Sequence, residues 1–251
     1  MSQRRLTRRS MITDVGAAGV GVVVLGACAG SSGSDVDVSS EDDRTIPDQD
    51  PEFNPDNQLR LQHVSLGFVS AYVLVRGSEA AVVDTGTADS RDAILEGLDA
   101  LSVSPSMVRH VVLTHNHGDH IGGLANLEVD LTSATVYAGA ADIGSIQTSL
   151  TLSEASDGDE IFGMGVIATP GHTPGSISLF DTASGILVAG DAINGDGAGG
   201  LTGANPDFSS DMGEAADSVA KLAALMPSTA AFGHGGAPVT DDVAAKLASL
   251  V

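Results

Sequence analysis

Lysine is almost missing from this chain: Lys221 and Lys246 are the only two in 251 residues. Arginine does little to compensate, since Lys and Arg together number 11 against 33 Asp and Glu, a formal net charge of −22. Four of those cations, Arg4, Arg5, Arg8 and Arg9, fall in the first ten residues, so everything after them is more acidic still. Such a chain has no basic footprint for a phosphate backbone, and no nucleic-acid partner is expected. An acid-rich, lysine-poor surface fits a salt-adapted protein, whose self-repulsion is screened at high ionic strength, or an ordinary acidic secreted one. Tryptophan is absent and aromatics make up only 3%, whereas glycine numbers 31. That balance points to a sheet-rich α/β protein with many tight turns and away from a coiled coil or a disordered chain. The single cysteine, Cys28, excludes an intrachain disulfide and leaves no thiolate for a metal site further along. With 42% hydrophobic residues, the chain can bury one sizeable core.

The first 27 residues read as an address. Arg4 to Arg9 precede an apolar Gly/Ala/Val run from about Val15 to Ala27, short for a bilayer span and without a stop-transfer flank. Thr7-Arg8-Arg9-Ser10-Met11-Ile12-Thr13 resembles the twin-arginine export motif, with Met where Phe is common and Thr where Lys is common. Leu25-Gly26-Ala27-Cys28 looks like a lipobox, whose Cys becomes the lipidated first residue of the mature chain. The plainer reading is a Cys that happens to follow a signal cleavage site. We therefore expect a signal peptide over 1–27, a flexible acidic linker over 28–57 containing Pro47, Pro51 and Pro55, and one folded domain over 58–251. The expected location is extracytoplasmic, on a membrane through lipid at Cys28.

In the folded part, Val69–Val75 and Ala80–Val83 read as adjacent strands around an Arg76–Glu79 turn. Asp89–Leu101 carries Ile94, Leu95, Leu98 and Leu101 on one helical face, with Asp89 as the expected N-cap. Further strands are expected at His110–Leu113, Thr135–Ala138, Gly165–Ala168, Ser176–Phe180, Ile186–Ala189 and Thr229–Phe232. Asp211–Met226 has the clearest apolar helical stripe, with Asp211 and Glu214 spaced as a capping box, and Thr240–Leu250 reads as a closing helix. No internal repeat is visible. Strands and hairpins followed by a strand–helix mixture, twice over, accommodate an αββα sandwich without singling it out.

Chemistry concentrates in Thr114-His115-Asn116-His117-Gly118-Asp119-His120, at the end of a buried strand. On a continuing strand His120 would point away from the other three side chains, and on a helix the four could not converge. Gly118 and Gly122-Gly123 suggest a loop that curls these side chains about a point and then opens a helix. Neutral imidazoles with a carboxylate suit Zn²⁺, or less selectively Fe or Mn. His-x-His alone could be a chance surface pair; the full cluster is far more specific.

This cluster is similar to the signature of the metallo-β-lactamase superfamily. Val82-Val83-Asp84-Thr85-Gly86, Thr169-Pro170-Gly171-His172-Thr173-Pro174-Gly175, Ala189-Gly190-Asp191 and Phe232-Gly233-His234-Gly235 resemble its other segments, in the same order. The resemblance implies an αββα sandwich of that type. It places His115, His117 and His172 at one metal, Asp119, His120 and His234 at a second, and Asp191 between them. It also makes Asp84 the residue that orders the histidine loop, although a carboxylate capping nearby backbone amides is the plainer reading of Asp84. His63 and His110 match no ligand position and are expected to be structural. Asn116 is either a loop-former or a pocket residue.

Two ions of zinc per chain, with Fe or Mn as alternatives, imply hydrolysis of an ester, thioester, lactone or amide in a small-molecule substrate. The attacking hydroxide would be shared by the metals and oriented by Asp119. Proteins resembling hydroxyacylglutathione hydrolase share the seven ligands but add a C-terminal helical domain, for which the residues after His234 leave no room. Class B1 β-lactamases carry Cys where this chain has Asp191, and B3 enzymes lack the bridging Asp, which disfavours a β-lactam substrate. A mono-iron oxidoreductase resembling persulfide dioxygenases and a non-catalytic metal-binding lipoprotein are the competing readings. Residues 194–206, Asn-Gly-Asp-Gly-Ala-Gly-Gly-Leu-Thr-Gly-Ala-Asn-Pro, read as a flexible lip over the pocket in preference to a passive surface loop. For the N-terminus, Cys28→Ser is expected to release the protein to the soluble fraction with catalysis intact. Mass spectrometry finding no lipid on Cys28, or an uncleaved leader, would overturn the anchor.

Overall fold

Strands that read as unbroken apolar runs are those buried on both faces, and the computed structural model, which describes residues 57–251, shows why. The expected signal peptide, Cys28 and nearly all of the linker lie outside the described residues. Six strands form the first sheet in sequence order: β1 (Arg60–Ser65), β2 (Ser70–Arg76), β3 (Glu79–Val83), β4 (Val108–Leu113), β5 (Thr135–Gly139) and β6 (Leu152–Ala155). The first three pair antiparallel, and β3 through β6 pair parallel. The second sheet comprises β7 (Glu160–Ile161), β8 (Met164–Ala168), β9 (Ile177–Asp181), β10 (Ile186–Val188) and, after the small hairpin of β11 (Ile193–Gly195) and β12 (Leu201–Gly203), β13 (Thr229–Ala231). Its order is β13-β10-β9-β8-β7.

The two-residue side-chain period sorts β2 cleanly. Ala71, Val73 and Val75 face a core shared with Ile94 and Leu98 of α1 (Arg91–Ala100) and Leu124 and Leu127 of α3 (Leu124–Leu127), which follows the short α2 (Gly118–Ile121). Tyr72 and Leu74 face the opposite way, onto Met164, Val166, Ile177 and Leu179 of the second sheet. The far side of that sheet packs Leu187, Ala230 and Phe232 against Val219 and Leu222 of α5 (Met212–Ala224) and Leu247 of α6 (Val243–Ala248). A last short helix, α4 (Ala140–Ile143), follows β5. Three cores between four layers make the expected αββα sandwich.

Several local expectations are corrected. The β2–β3 hairpin turns on Gly77 and Ser78 alone, with Arg76 and Glu79 already paired. Asp89 does not cap α1: a 3₁₀ turn occupies Ala88–Ser90, and the helix starts at Arg91 without a side-chain cap. The closing helix begins only at Val243, because Asp242 sits at φ 51° in the left-handed region. Asp211 does cap α5, accepting from Gly213 and Glu214 N–H groups. The return half of the capping box is not made, because the Asp211 N–H donates to the Gly171 carbonyl at 2.9 Å instead. That exchange moors the helix to the loop carrying His172.

One buried hydroxyl joins the two sheets. Tyr72 donates to the Phe232 carbonyl at 2.7 Å and accepts from the Phe232 N–H at 3.0 Å, 160 residues away. Tyr72→Phe would strand both backbone groups in the core, a loss of about 1–3 kcal/mol. Denaturant unfolding of the variant should show that drop; an unchanged midpoint would mean that the groups find other partners.

Candidate metal centre

Each functional side chain leaves the C-terminal end of a strand. Past β4 the chain runs through Thr114–His117 as an extended loop and opens α2 at Gly118, which puts Asp119 and His120 in its first turn. His172 sits in the loop after β8, Asp191 in a single 3₁₀ turn after β10, and His234 just beyond β13. All seven expected residues meet at this edge.

His115 Nε2, His117 Nδ1 and His172 Nε2 form a triangle with sides of 3.1, 3.2 and 3.0 Å. A second group joins His120 Nε2 to His234 Nε2 at 3.3 Å, with Asp119 Oδ2 at 3.9 and 3.4 Å from them. Asp191 lies between the groups: Oδ1 is 3.5 Å from His120 Nε2, and Oδ2 is 3.4 Å from His172 Nε2 and 3.2 Å from His234 Nε2. Space there is spent to the last atom, since a Cβ on Gly233 would fall 1.9 Å from Asp191 Oδ1.

Hydrogen bonding behind the rings sets their tautomers. Asp84, buried at φ 61°, accepts from the Thr114 N–H at 2.7 Å, the Thr114 hydroxyl at 2.8 Å and His120 Nδ1 at 2.7 Å. With its one proton given to Asp84, the Thr114 hydroxyl must accept from His115 Nδ1 at 3.0 Å. Ser209 likewise donates to the Asn205 carbonyl and accepts from His172 Nδ1 at 3.1 Å. His234 Nδ1 donates to the Phe68 carbonyl at 2.7 Å. Four imidazoles therefore hold Nδ1 outward on these acceptors and turn Nε2 inward, toward one another and Asp191. Asp191 Oδ1 is buried with no hydrogen-bond partner among the described residues. Ligand atoms bonded tetrahedrally at 2.0–2.1 Å to zinc stand about 3.3 Å apart, close to the spacing seen here. The residues fit divalent ions, and both trios qualify as metal-holding groups.

Electrostatics agree. Burial, then the neighbouring imidazoles, holds His115 well below its ordinary pKa, and burial first brings His172 down to about 4, so both are neutral ligands at pH 7. His234 is pushed up to about 9, chiefly by its hydrogen bond to Asp191, where a proton stands in a cation's place. Burial opposes charge on His120, yet Asp84 behind it carries its pKa upward. Burial would also raise Asp191, but His234 and the other imidazoles keep it below the usual carboxylate range.

Asp142 was not anticipated. Wholly buried, it accepts from the Asn116 N–H, the Thr173 hydroxyl and the Gly175 N–H at 3.0, 2.6 and 2.8 Å, tying the histidine loop to the His172 loop. Neither it nor Ser209 had any sequence mark beyond its type. Asn116 proves a loop-former, engaged through its backbone. His63 pairs with Ser70 and stacks on Tyr72, and His110 packs between Tyr137 and Phe162, both outside the metal cluster as expected. The glycine-rich segment does border the cleft, through the β11–β12 hairpin and the residues that follow it.

A model of the metallo-beta-lactamase superfamily matches residues 64–234, a stretch containing all seven of these residues. The chain belongs to the metallo-beta-lactamase superfamily. Among its relatives is the uncharacterized protein YobT of Bacillus subtilis, 31% identical over 196 residues, or 66% of this chain and 83% of that one. Hydroxyacylglutathione hydrolase of Dechloromonas aromatica is 33% identical over 153 residues, 60% of this chain, which spans about half (52%) of that enzyme. The fold is shared with the solved structure described as the peroxy diiron species of chemotaxis sensor ODP, at TM-score 0.60 and 19% identity, over 78% of this chain and 91% of that one.

Within this superfamily scaffold, Asp84 is open to a direct check. Asp84→Asn keeps the shape and tolerates the left-handed backbone, but its amide cannot accept from all three donors. Metal affinity should fall about 10–100-fold, as when groups that orient metal-binding histidines are removed. Titration of the metal-free variant with zinc at unchanged affinity would overturn this role.

Proposed function

We propose that this chain is a metal-dependent hydrolase with two zinc ions, cleaving an ester, thioester, lactone or amide bond in a small molecule. The observation that carries the reading is Asp191, buried between two three-residue donor sets and within 3.2–3.5 Å of nitrogens in both. Two divalent ions in such a site would activate water near neutral pH and polarise a carbonyl. The chain's own residues do the rest. Asp191 sets the separation of the two donor sets. Asp119, its side chain 27% exposed on the cleft side, is placed to orient the attacking water and hold its proton. The Asp84 and Ser209 hydrogen bonds keep the rings from turning as charge develops.

Five imidazoles and no thiolate suit zinc. A mono-iron oxidoreductase on the same fold is the second reading, since a subset of these ligands can hold one iron, and metal analysis separates them: two zinc ions per chain against one iron. The place proposed for the protein is outside the cytoplasm, held to a membrane by lipid on Cys28, on the strength of Arg8-Arg9 and Leu25–Cys28. Among the described residues no helix is long and apolar enough to cross a membrane.

The purified protein should hold about two divalent ions, and His120→Ala or His234→Ala should each lose one selectively. Asp191→Ala should loosen both. Asp119→Asn should keep near-normal uptake at the His115–His117–His172 set, while turnover falls on the order of a hundredfold. Stoichiometry and kcat measured on the same preparations decide it. One iron per chain, unchanged by either histidine substitution, would overturn the reading, as would full activity in Asp119→Asn.

A further inference from the structure

Beside the metal residues opens a cleft of about 890 Å³. Two phenylalanines stand on its lining in water, Phe68 at 65% and Phe208 at 66% exposure, whereas Phe162, Phe180 and Phe232 are buried. Both segments that carry the exposed rings are anchored to the site. Phe68 gives its carbonyl to His234 Nδ1, and its ring lies nearly parallel to that imidazole, 6.1 Å between centroids and 10° between planes. Phe208 closes a turn on the Asn205 carbonyl, and its neighbour Ser209 holds His172 Nδ1. One ring thus flanks each donor set, placed by the same segments that orient the histidines.

Among the described residues no Lys or Arg side chain reaches the cleft. Of the six described Lys and Arg residues, Arg76 is paired with Asp181, Arg91 with Asp130 and Lys246 with Asp241. Lys221 donates to the Ala168 carbonyl, Arg109 to that of Ser106, and Arg60 starts β1, all away from the lining. Beyond the metal residues, the lining offers only neutral polar groups, among them Asn194, whose buried Oδ1 has no partner among the described residues. Away from the metal residues, a carboxylate or phosphate at the far end of a bound chain would leave bulk water for walls without counter-charge among the described residues, on a chain of net charge −22.

We propose, building on the hydrolase reading, that the substrate group seated in this cleft is apolar and uncharged, an alkyl or aryl chain held between Phe68 and Phe208. The polar group it tolerates is a neutral one, facing Asn194. Substrates whose chain ends in a carboxylate are selected against.

The test uses the metal-loaded full chain and three ketones that cannot be hydrolysed, followed by calorimetry: 2-butanone, 2-octanone and 7-oxooctanoate, the last two differing only by the carboxylate at the far end. The result expected is binding of 2-octanone at least tenfold tighter than either of the others. Phe68→Ala or Phe208→Ala should cost 2-octanone at least fivefold, with metal content unchanged. Equal or tighter binding of 7-oxooctanoate, or indifference of 2-octanone affinity to both substitutions, overturns the proposal. Methyl octanoate and methyl butanoate, offered in parallel, report on hydrolysis separately. If neither ester is cleaved while the ketone preferences hold, the ester branch of the hydrolase reading fails and the apolar cleft stands.

Discussion

A single buried carboxylate holds the histidine loop in place. Asp84 occupies a left-handed backbone position at the end of β3 and spends its oxygens on the Thr114 N–H, the Thr114 hydroxyl and His120 Nδ1. Its own N–H donates to the Val112 carbonyl, and the next N–H, from Thr85, donates to that of His120. The loop is thereby clamped from the backbone and from the side chains at once. Through the Thr114 hydroxyl, the same carboxylate fixes the tautomer of His115. Two histidines assigned to different donor sets therefore take their orientation from one residue that touches neither ligand atom.

Such convergence costs free energy in the protein alone. Five imidazoles and two carboxylates are pressed together where several are buried, and nothing among the described residues satisfies Asp191 Oδ1. The surrounding scaffold sustains this arrangement. The buried Asp142 carboxylate joins the two metal loops, Tyr72 binds the sheets through Phe232, and the Asp211 N–H ties α5 to the His172 loop. Gly233 is glycine because a side chain there would occupy the space of Asp191.

The layers and the seven converging residues were legible because their marks are local. β2, β3 and β4 are apolar on both faces, and four of the seven residues fall within six positions of one another. What escaped depends on distant partners. The strands β1, β6 and β7 are short or half-exposed, with no run to announce them. Asp142 and Ser209 act on loops 26 to 37 residues away, and the Phe68 carbonyl on a ring 166 residues away. Helix starts failed where tertiary contacts or a left-handed residue overrode a plausible cap, as at Asp89 and Asp242. Asp211 shows both outcomes, since its side chain obeys the local rule while its N–H is claimed by Gly171.

Both donor sets are divided in the same way between the sheets. His115 and His117 hang from the first sheet and face His172 from the second; Asp119 and His120 hang from the first and face His234 from the second. Any ion bound by either trio would rivet one sheet to the other. No three ligands of either trio lie close along the chain, so an unfolded polypeptide keeps only part of each set, and the ion binds the native state more tightly. Thermodynamic linkage then converts metal affinity into resistance to unfolding, at most about 4 kcal/mol at a thousandfold excess over the dissociation constant and less by whatever the unfolded His115–His120 cluster binds. Metal supply would set the lifetime of the fold as well as its chemistry, with chelation prising apart the seam between the sheets.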